Sequence, residues 1–97
     1  MEKLEDIFSD VVILRGAATF MYSKKNVIQV LNYCQEKGIK ILGIDAFYLT
    51  EHTTQPSLDN SIDYSVMTLL KVQNVPDPIQ FILDKDEKLF FEIVYEE

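Results

Sequence analysis

The stretch SKKNVIQVLNYCQEKGIKILGIDAFYLT, residues 23–50, decides the fold because it holds one complete helix and the strand that follows it. Ser23 is a residue type that favours the N-cap position. The apolar residues after it recur at the spacing of one helix face, namely Val27, Ile28, Val30, Leu31 and Cys34. Lys37 and Gly38 then supply a cation in the last turn and a glycine suited to a helix end. We therefore predict the main helix between Ser23 and Gly38.

An extended run follows this helix directly. Residues 39–42 are rich in β-branched side chains, and after Gly43 the run continues through Thr50. A glycine inside a strand often marks a bulge or a close backbone approach. If the strands on either side of the helix are parallel, the three elements form a right-handed crossover.

The residues before the helix predict a short helix and one or two strands. Three apolar residues at positions i, i+3 and i+4 indicate an amphipathic opening helix: Leu4, Ile7 and Phe8. Residues 11–14 are read as a buried strand that ends at Arg15 and Gly16. Residues 17–22 either extend that strand or start another.

The residues after the strand run alternate between polar and apolar segments. The polar stretch 51–60, which contains Pro56, is predicted to be a loop, and residues 61–66 are predicted to be extended again. Residues 67–72 fit a strand or a helix equally well. Asp77 and Pro78 have the N-cap and N1 types that begin a short helix reaching about Leu83.

Residues 89–95 are aromatic and β-branched, and they predict a final strand. Together these elements predict an α+β fold, sandwich-like in its layers. We expect a mixed sheet of four or five strands with one main helix and one or two short helices packed on it. A chain of 97 residues is long enough for a single core, so residues 1–97 are expected to form one domain.

Several bulk features predict a cytoplasmic protein. The lone cysteine, Cys34, has no partner for an internal disulfide. The opening residues 1–6 are charged and mixed, unlike a signal peptide. No apolar run approaches the roughly 20 residues that a membrane helix requires. We therefore expect a cytoplasmic chain that does not engage a membrane.

Charge is the most informative bulk property of the sequence. Sixteen acidic residues against nine basic ones give a formal net charge of −7, and residues 41–70 contain no lysine or arginine. A field of this sign repels nucleic acid and anionic membranes, whereas it attracts a basic protein. The plainer alternative is that the charge only keeps the protein soluble.

Reactive groups are scarce in this sequence. Nucleophilic catalysis by serine or cysteine needs a base, and His52, the one histidine, sits among threonines in the polar stretch. Cys34 lies on the apolar face of the main helix, where a thiol serves as packing. The pattern of ligands for zinc or calcium is missing, and the three glycines are too scattered to hold a phosphate. We predict no catalytic residue, no metal site and no cofactor.

The remaining polar constellation predicts a partner-binding patch. It combines tyrosines with carboxylates in or beside the polar stretch: Asp45, Tyr48, Glu51, Asp59, Asp63 and Tyr64, with His52 nearby. Tyrosine offers a large contact area at low entropic cost, and this favours binding surfaces. Asp45 shares its strand parity with Phe47 and Leu49, which predicts that it points inward. Buried carboxylates normally find hydrogen-bond partners, so Asp45 is expected either to brace the following loop through its backbone amides or to contact a partner.

Residues 38–47 (GIKILGIDAF) and 55–64 (QPSLDNSIDY) resemble small immunity proteins of bacterial polymorphic-toxin and contact-dependent growth inhibition systems. Those families combine a helix, a GI-x-(I/V)-LG-x-D strand and a loop with proline, aspartate and aromatic residues. The resemblance implies a non-enzymatic cytoplasmic protein that neutralises a cognate toxin, often a nuclease with a basic cleft. The alternatives are an acidic regulatory or adaptor module, a small-ligand-binding domain, or a hydrolase using a carboxylate pair. The oligomeric state stays open.

Overall fold

A computed structural model describes residues 2–16 and 18–96; Met1, Ala17 and Glu97 lie outside the described residues. The elements in chain order are α1 (Leu4–Ile7), β1 (Ile13–Arg15), β2 (Thr19–Ser23), α2 (Lys24–Lys37), β3 (Ile41–Leu49), β4 (Thr54–Asp63), α3 (Tyr64–Leu69), α4 (Pro78–Leu83) and β5 (Leu89–Tyr95).

The five strands form one open sheet in the order β1-β2-β5-β3-β4. One main helix and three short ones accompany this sheet in the described residues, which confirms the predicted α+β class. The predicted sheet is mixed, whereas every neighbouring pair of described strands is antiparallel. Strands β2 and β3 both run antiparallel to β5, which lies between them. The connection through α2 therefore joins two strands of the same direction that are not neighbours.

Helix α2 begins and ends where the sequence predicts. The Ser23 hydroxyl accepts a hydrogen bond from the Asn26 amide at 3.4 Å and acts as the N-cap. Gly38 adopts a left-handed conformation with φ of 69°. The Ile39 amide then donates to the Cys34 carbonyl and the Gly38 amide to the Gln35 carbonyl, which is a Schellman-type end.

One apolar cluster joins the helices to the sheet. The face of α2 that carries Val27, Val30 and Leu31 is buried, and so are alternate residues of the central strands. The cluster consists of Leu4, Tyr22, Val27, Val30, Leu31, Cys34, Ile44, Ala46, Ile62, Ile82, Leu89, Phe91 and Ile93. Burial of these side chains is the main source of stability, because each one removes apolar surface from water.

The predicted loop over residues 51–60 is wrong. A tight turn occupies residues 50–53, where the Thr50 amide donates to the Thr53 carbonyl and the Thr53 amide donates back to the Thr50 hydroxyl. Strand β4 follows and pairs antiparallel with β3 along the outer edge of the sheet. Pro56 pairs with Phe47, and an edge strand tolerates a proline because it needs ladder bonds on one side only.

Two other predicted segments need correction. The extended run over residues 61–66 ends at Asp63, because that side chain caps the helix α3 beginning at Tyr64. The predicted buried strand over residues 11–14 is the short edge strand β1, in which Leu14 is 54% exposed. Strand β2 starts separately at Thr19, and Ala17 of the predicted 17–22 segment lies outside the described residues.

The remaining predicted elements are confirmed. Helix α1 covers Leu4–Ile7, and α4 begins at Pro78 with Asp77 as its N-cap. Strand β5 covers Leu89–Tyr95. Gly43 is a site of close backbone approach, because a Cβ added there would lie 3.1 Å from the Ile62 carbonyl oxygen. No helix in residues 2–16 and 18–96 is long and apolar enough to cross a membrane.

Candidate binding surface

A pair of carboxylates occupies the sheet face opposite the main core. Asp45 on β3 and Glu92 on β5 are direct cross-strand partners, while their neighbours Ala46 and Phe91 point into the core. Both acids are half-buried, and neither side chain accepts a hydrogen bond from the described residues. The pKa of each is raised, first by burial, then by Asp63 for Asp45 and by Asp45 for Glu92.

Asp63 lies close to this pair but has a different environment. One carboxylate oxygen accepts hydrogen bonds from the Ser65 amide at 3.0 Å, the Ser65 hydroxyl at 2.5 Å and the Val66 amide at 3.2 Å. These donors stabilise the charged form and lower the pKa of Asp63, the Ser65 hydroxyl contributing most. Asp63 therefore holds a negative charge at the start of α3.

Tyr64 follows Asp63 and points towards the segment before α4. Its hydroxyl donates to the Pro76 carbonyl at 2.8 Å. Burial, with a smaller effect from Asp77, raises the pKa of Tyr64 to about 12, so the phenol stays protonated at neutral pH. Tyr64 therefore links α3 to the segment before α4. It also follows Asp63 directly in the sequence.

Tyr64 also lines a cleft of about 510 Å³. Its walls come from the end of α2, residues 39–42, α3 and residues 75–79, and they are mainly apolar. Cys34 contributes to the wall, where burial raises the pKa of its thiol to about 11. The thiol is therefore protonated at neutral pH and lacks the thiolate character of a reactive cysteine.

The other predicted site residues lie apart from Asp45. Tyr48 pairs with Leu89 on the opposite face of the sheet from Asp45, because the two differ in strand parity. Glu51 and His52 are exposed at the tip of the β3–β4 turn, with His52 Nε2 3.9 Å from the Glu51 carboxylate. The predicted patch is thus divided between two faces and the hairpin tip.

Asp59 projects from an irregularity in β4. Ser57 pairs with Ala46 and Ile62 pairs with Ile44, so residues 58–61 lie opposite Asp45 alone. The Ser61 side chain fixes this excursion, because its hydroxyl donates to the Ser57 carbonyl and accepts from the Ala46 amide. Leu58, 84% exposed, and Asp59 stand out into solvent as a result.

The carboxylates of the described chain are not neutralised by its own lysines or its arginine. Among residues 2–16 and 18–96 no Lys or Arg nitrogen lies within 4.0 Å of a carboxylate oxygen. The cations make other contacts instead: Lys24 Nζ donates to the Leu83 and Lys85 carbonyls, and Arg15 donates to the Thr50 carbonyl at 2.6 Å. The described carboxylates are therefore not engaged in short ion pairs with the chain's own lysines or arginine.

Two features of this surface are not in the predicted site. The first is Glu92, whose position amid aromatic and β-branched residues of β5 is an unusual one for a charged side chain. The second feature is the apolar surface of α3. The sequence does not predict it, because residues 67–72 fit either a strand or a helix.

Of the two readings of Asp45, loop bracing is excluded, since residues 54–63 form a strand and donate nothing to its carboxylate.

No family model, curated protein or solved structure matches this chain. Within the described residues, no group of three or more His, Cys, Asp or Glu side chains is placed to hold a metal ion.

Proposed function

We propose that this chain is an immunity protein that binds a basic toxin protein, of the nuclease class, and neutralises it. The observation that carries the proposal is the unneutralised acid: the chain has sixteen acidic residues against nine basic ones, and no described carboxylate has a lysine or arginine within 4.0 Å. Such a surface suits an inhibitor of a positively charged toxin, because opposite charges attract.

Electrostatic complementarity explains how such a pair would meet quickly. A nuclease holds phosphates with Lys and Arg side chains, so its cleft attracts an acidic protein as it attracts nucleic acid. Complementary fields raise association rates by roughly 10- to 1,000-fold at low salt. Exposed acids such as Glu51 and Asp59 act at this stage, since they reach the partner's field before contact.

The half-buried pair would act after contact. Asp45 and Glu92 have already lost part of their hydration in the free protein, and they repel each other. A lysine or arginine placed between them removes that repulsion, and little further desolvation of the acids is needed. Charged pairs formed this way stabilise a complex more than pairs that must be dehydrated from bulk water.

The direct test pairs the chain with the protein encoded immediately upstream of its gene, the position implied by the immunity-protein resemblance. We expect a one-to-one complex by size-exclusion chromatography and loss of the partner's nuclease activity. Asp59→Lys should weaken the complex, whereas Glu36→Lys, which reverses one exposed negative charge on α2, should weaken it less. Absence of a complex rejects the proposal. A complex that leaves the partner's activity intact favours an acidic adaptor module instead.

The cleft supports a second candidate function, the binding of a small apolar ligand. Its volume of about 510 Å³ falls within the range of roughly 300–1,000 Å³ typical of ligand pockets. A thermal-shift screen of small apolar compounds tests this, because ligand at 100 times its Kd adds about 2.7 kcal/mol of stability. A hit that is lost in Thr68→Phe, which would fill the cleft, supports this function; a screen without hits counts against it.

A further inference from the structure

Helix α3 and the residues after it carry more apolar side chains than the fold buries. We call residues 64–75 the α3 tongue. None of the residues of α3 is fully buried. The exposed apolar members of the tongue are Val66, Leu69, Leu70, Val72 and Val75, with Leu69 at 80% and Leu70 at 68% exposure.

The inward face of the tongue packs against the hydrophobic core. Tyr64 and Met67, three residues apart on one helix face, pack against the core cluster. Leu69 and Leu70 play no part in that contact, and because they stay in water they contribute little burial free energy to the fold. Exposed apolar groups collected in one segment mark a surface that another molecule covers.

Backbone hydrogen bonds hold these leucines in place. The Leu70 amide donates to the Val66 carbonyl, the Lys71 amide to Thr68 and the Val72 amide to Met67. Lys71 and Asn74 then take left-handed conformations, with φ of 54° and 58°, which set the path of the chain after the helix. A surface fixed before binding loses less conformational entropy on association.

The charges around the tongue indicate the chemistry of its partner. Asp63 and Asp77 stand at its two ends as the N-caps of α3 and α4, and neither has a lysine or arginine of the described chain within 4.0 Å. Lys71 is the one cation between them. A complementary surface is an apolar hollow with lysine or arginine side chains on its rim.

We infer that the α3 tongue inserts Leu69 and Leu70 into an apolar hollow of the basic partner, whose rim cations face Asp63 and Asp77. This inference rests on the proposed function and names the contact that sets the lifetime of the complex. The net charge of −7 disfavours a second copy of this chain and an anionic membrane as occupants, because both would bring like charges together.

The test measures association and dissociation rates against the immobilised upstream-encoded protein. For Leu69→Ser combined with Leu70→Ser we expect dissociation to accelerate by roughly 10-fold or more, with association within about 3-fold, since apolar anchors act on the dissociation rate. Leu14→Ser, which also removes an exposed leucine, is the matched control and should change neither rate. Thermal melts of both variants should superimpose on that of the parent chain.

Each other outcome overturns the inference. No complex with the parent chain rejects the proposed function, and this inference with it. A complex whose dissociation is unchanged in the double variant rejects this inference alone. Dimerisation of the free chain that the double variant abolishes, measured by light scattering, assigns the tongue to a second copy. Flotation with phosphatidylglycerol vesicles that the double variant abolishes assigns it to a membrane.

Discussion

Asp45 and Glu92 face each other across the β3–β5 pair as two half-buried carboxylates, with no described lysine or arginine within 4.0 Å of either. Like charges placed directly opposite each other on a sheet are destabilising. The fold keeps this arrangement in a position where another residue pair would be more stable. The cost belongs to the free protein, and a cation placed between the two acids would remove it.

Neutralising one member of this pair should stabilise the free protein. For Asp45→Asn we expect an increase in unfolding free energy of about 0.2–1 kcal/mol, towards the lower end because solvent screens the half-exposed pair. Urea unfolding at neutral pH measures it. Glu36→Gln removes an exposed charge from α2 and serves as the control for net charge alone. Equal effects of the two variants would show that the cross-strand pairing is irrelevant.

The same pair predicts a pH dependence of stability. The pKa values of Asp45 and Glu92 are raised in the folded protein. At a pH between the unfolded and the folded pKa of each acid, the folded protein therefore binds more protons than the unfolded chain. Stability should therefore increase as pH falls from neutral through the raised folded values towards the ordinary values near about 4. Asp45→Asn should flatten this slope in a series of urea titrations. A parent slope no steeper than that of the variant would contradict the assignment.

Asp63 should influence stability through its cap as well as through its charge. Asp63→Ala removes the acceptor for the Ser65 and Val66 amides and should lower the melting temperature of the protein. Asp63→Asn keeps an acceptor oxygen and should lower it much less. Thermal unfolding of the two variants separates capping from charge, and an equal loss in both would mean that charge alone matters. The pKa of Asp63 is lowered in the folded protein. Its contribution to folding stability is therefore fully present when the pH is above the ordinary pKa of aspartate, and it is lost as the pH falls through the lowered folded pKa.

Lys24 links the start of α2 to the end of α4. Its ammonium donates to the Leu83 carbonyl at 2.9 Å and the Lys85 carbonyl at 2.8 Å. Lys24→Met keeps most of the apolar stem but leaves these carbonyls without that donor, and we expect a loss of about 1–3 kcal/mol in unfolding free energy. Lys25→Met, one residue away and exposed, is the matched control and should stay within about 0.5 kcal/mol of the parent.

The parts of this fold that sequence could predict are those determined by neighbouring residues. Ser23, Gly38 and Asp77 mark helix ends through local hydrogen bonds, so α2 and α4 follow from the chain itself. Strand β4 was missed because it lies at an edge, where Pro56 and polar side chains are tolerated and the apolar alternation of a strand is lost. A strand's partner depends on the fold of the whole chain.

The candidate site was only partly predictable for the same reason. Asp45 and Asp63 were both expected in the site, and the structure places them close enough to influence each other's charge. Glu92 joins them only through the β3–β5 register, which links residues 47 positions apart in sequence. Tyr48 falls on the opposite face because its parity differs from that of Asp45. The exposure of Leu69 and Leu70 depends on how α3 packs, and the apolar pattern alone does not decide that.

Association with the basic partner should depend strongly on salt. Raising ionic strength from about 0.01 M to about 0.15 M shortens the Debye length from about 30 Å to about 8 Å, which screens exposed charges from each other. We expect the association rate of the parent chain to fall by roughly 10-fold or more over this range while dissociation changes little.

Glu51→Gln combined with Asp59→Asn should lower the association rate at low salt and flatten its salt dependence. The melting temperature should stay unchanged because both side chains are exposed. Glu36→Gln should have a smaller effect if steering is local to the β3–β4 hairpin. An association rate that is insensitive to salt would leave the acidic surface without a role in recognition.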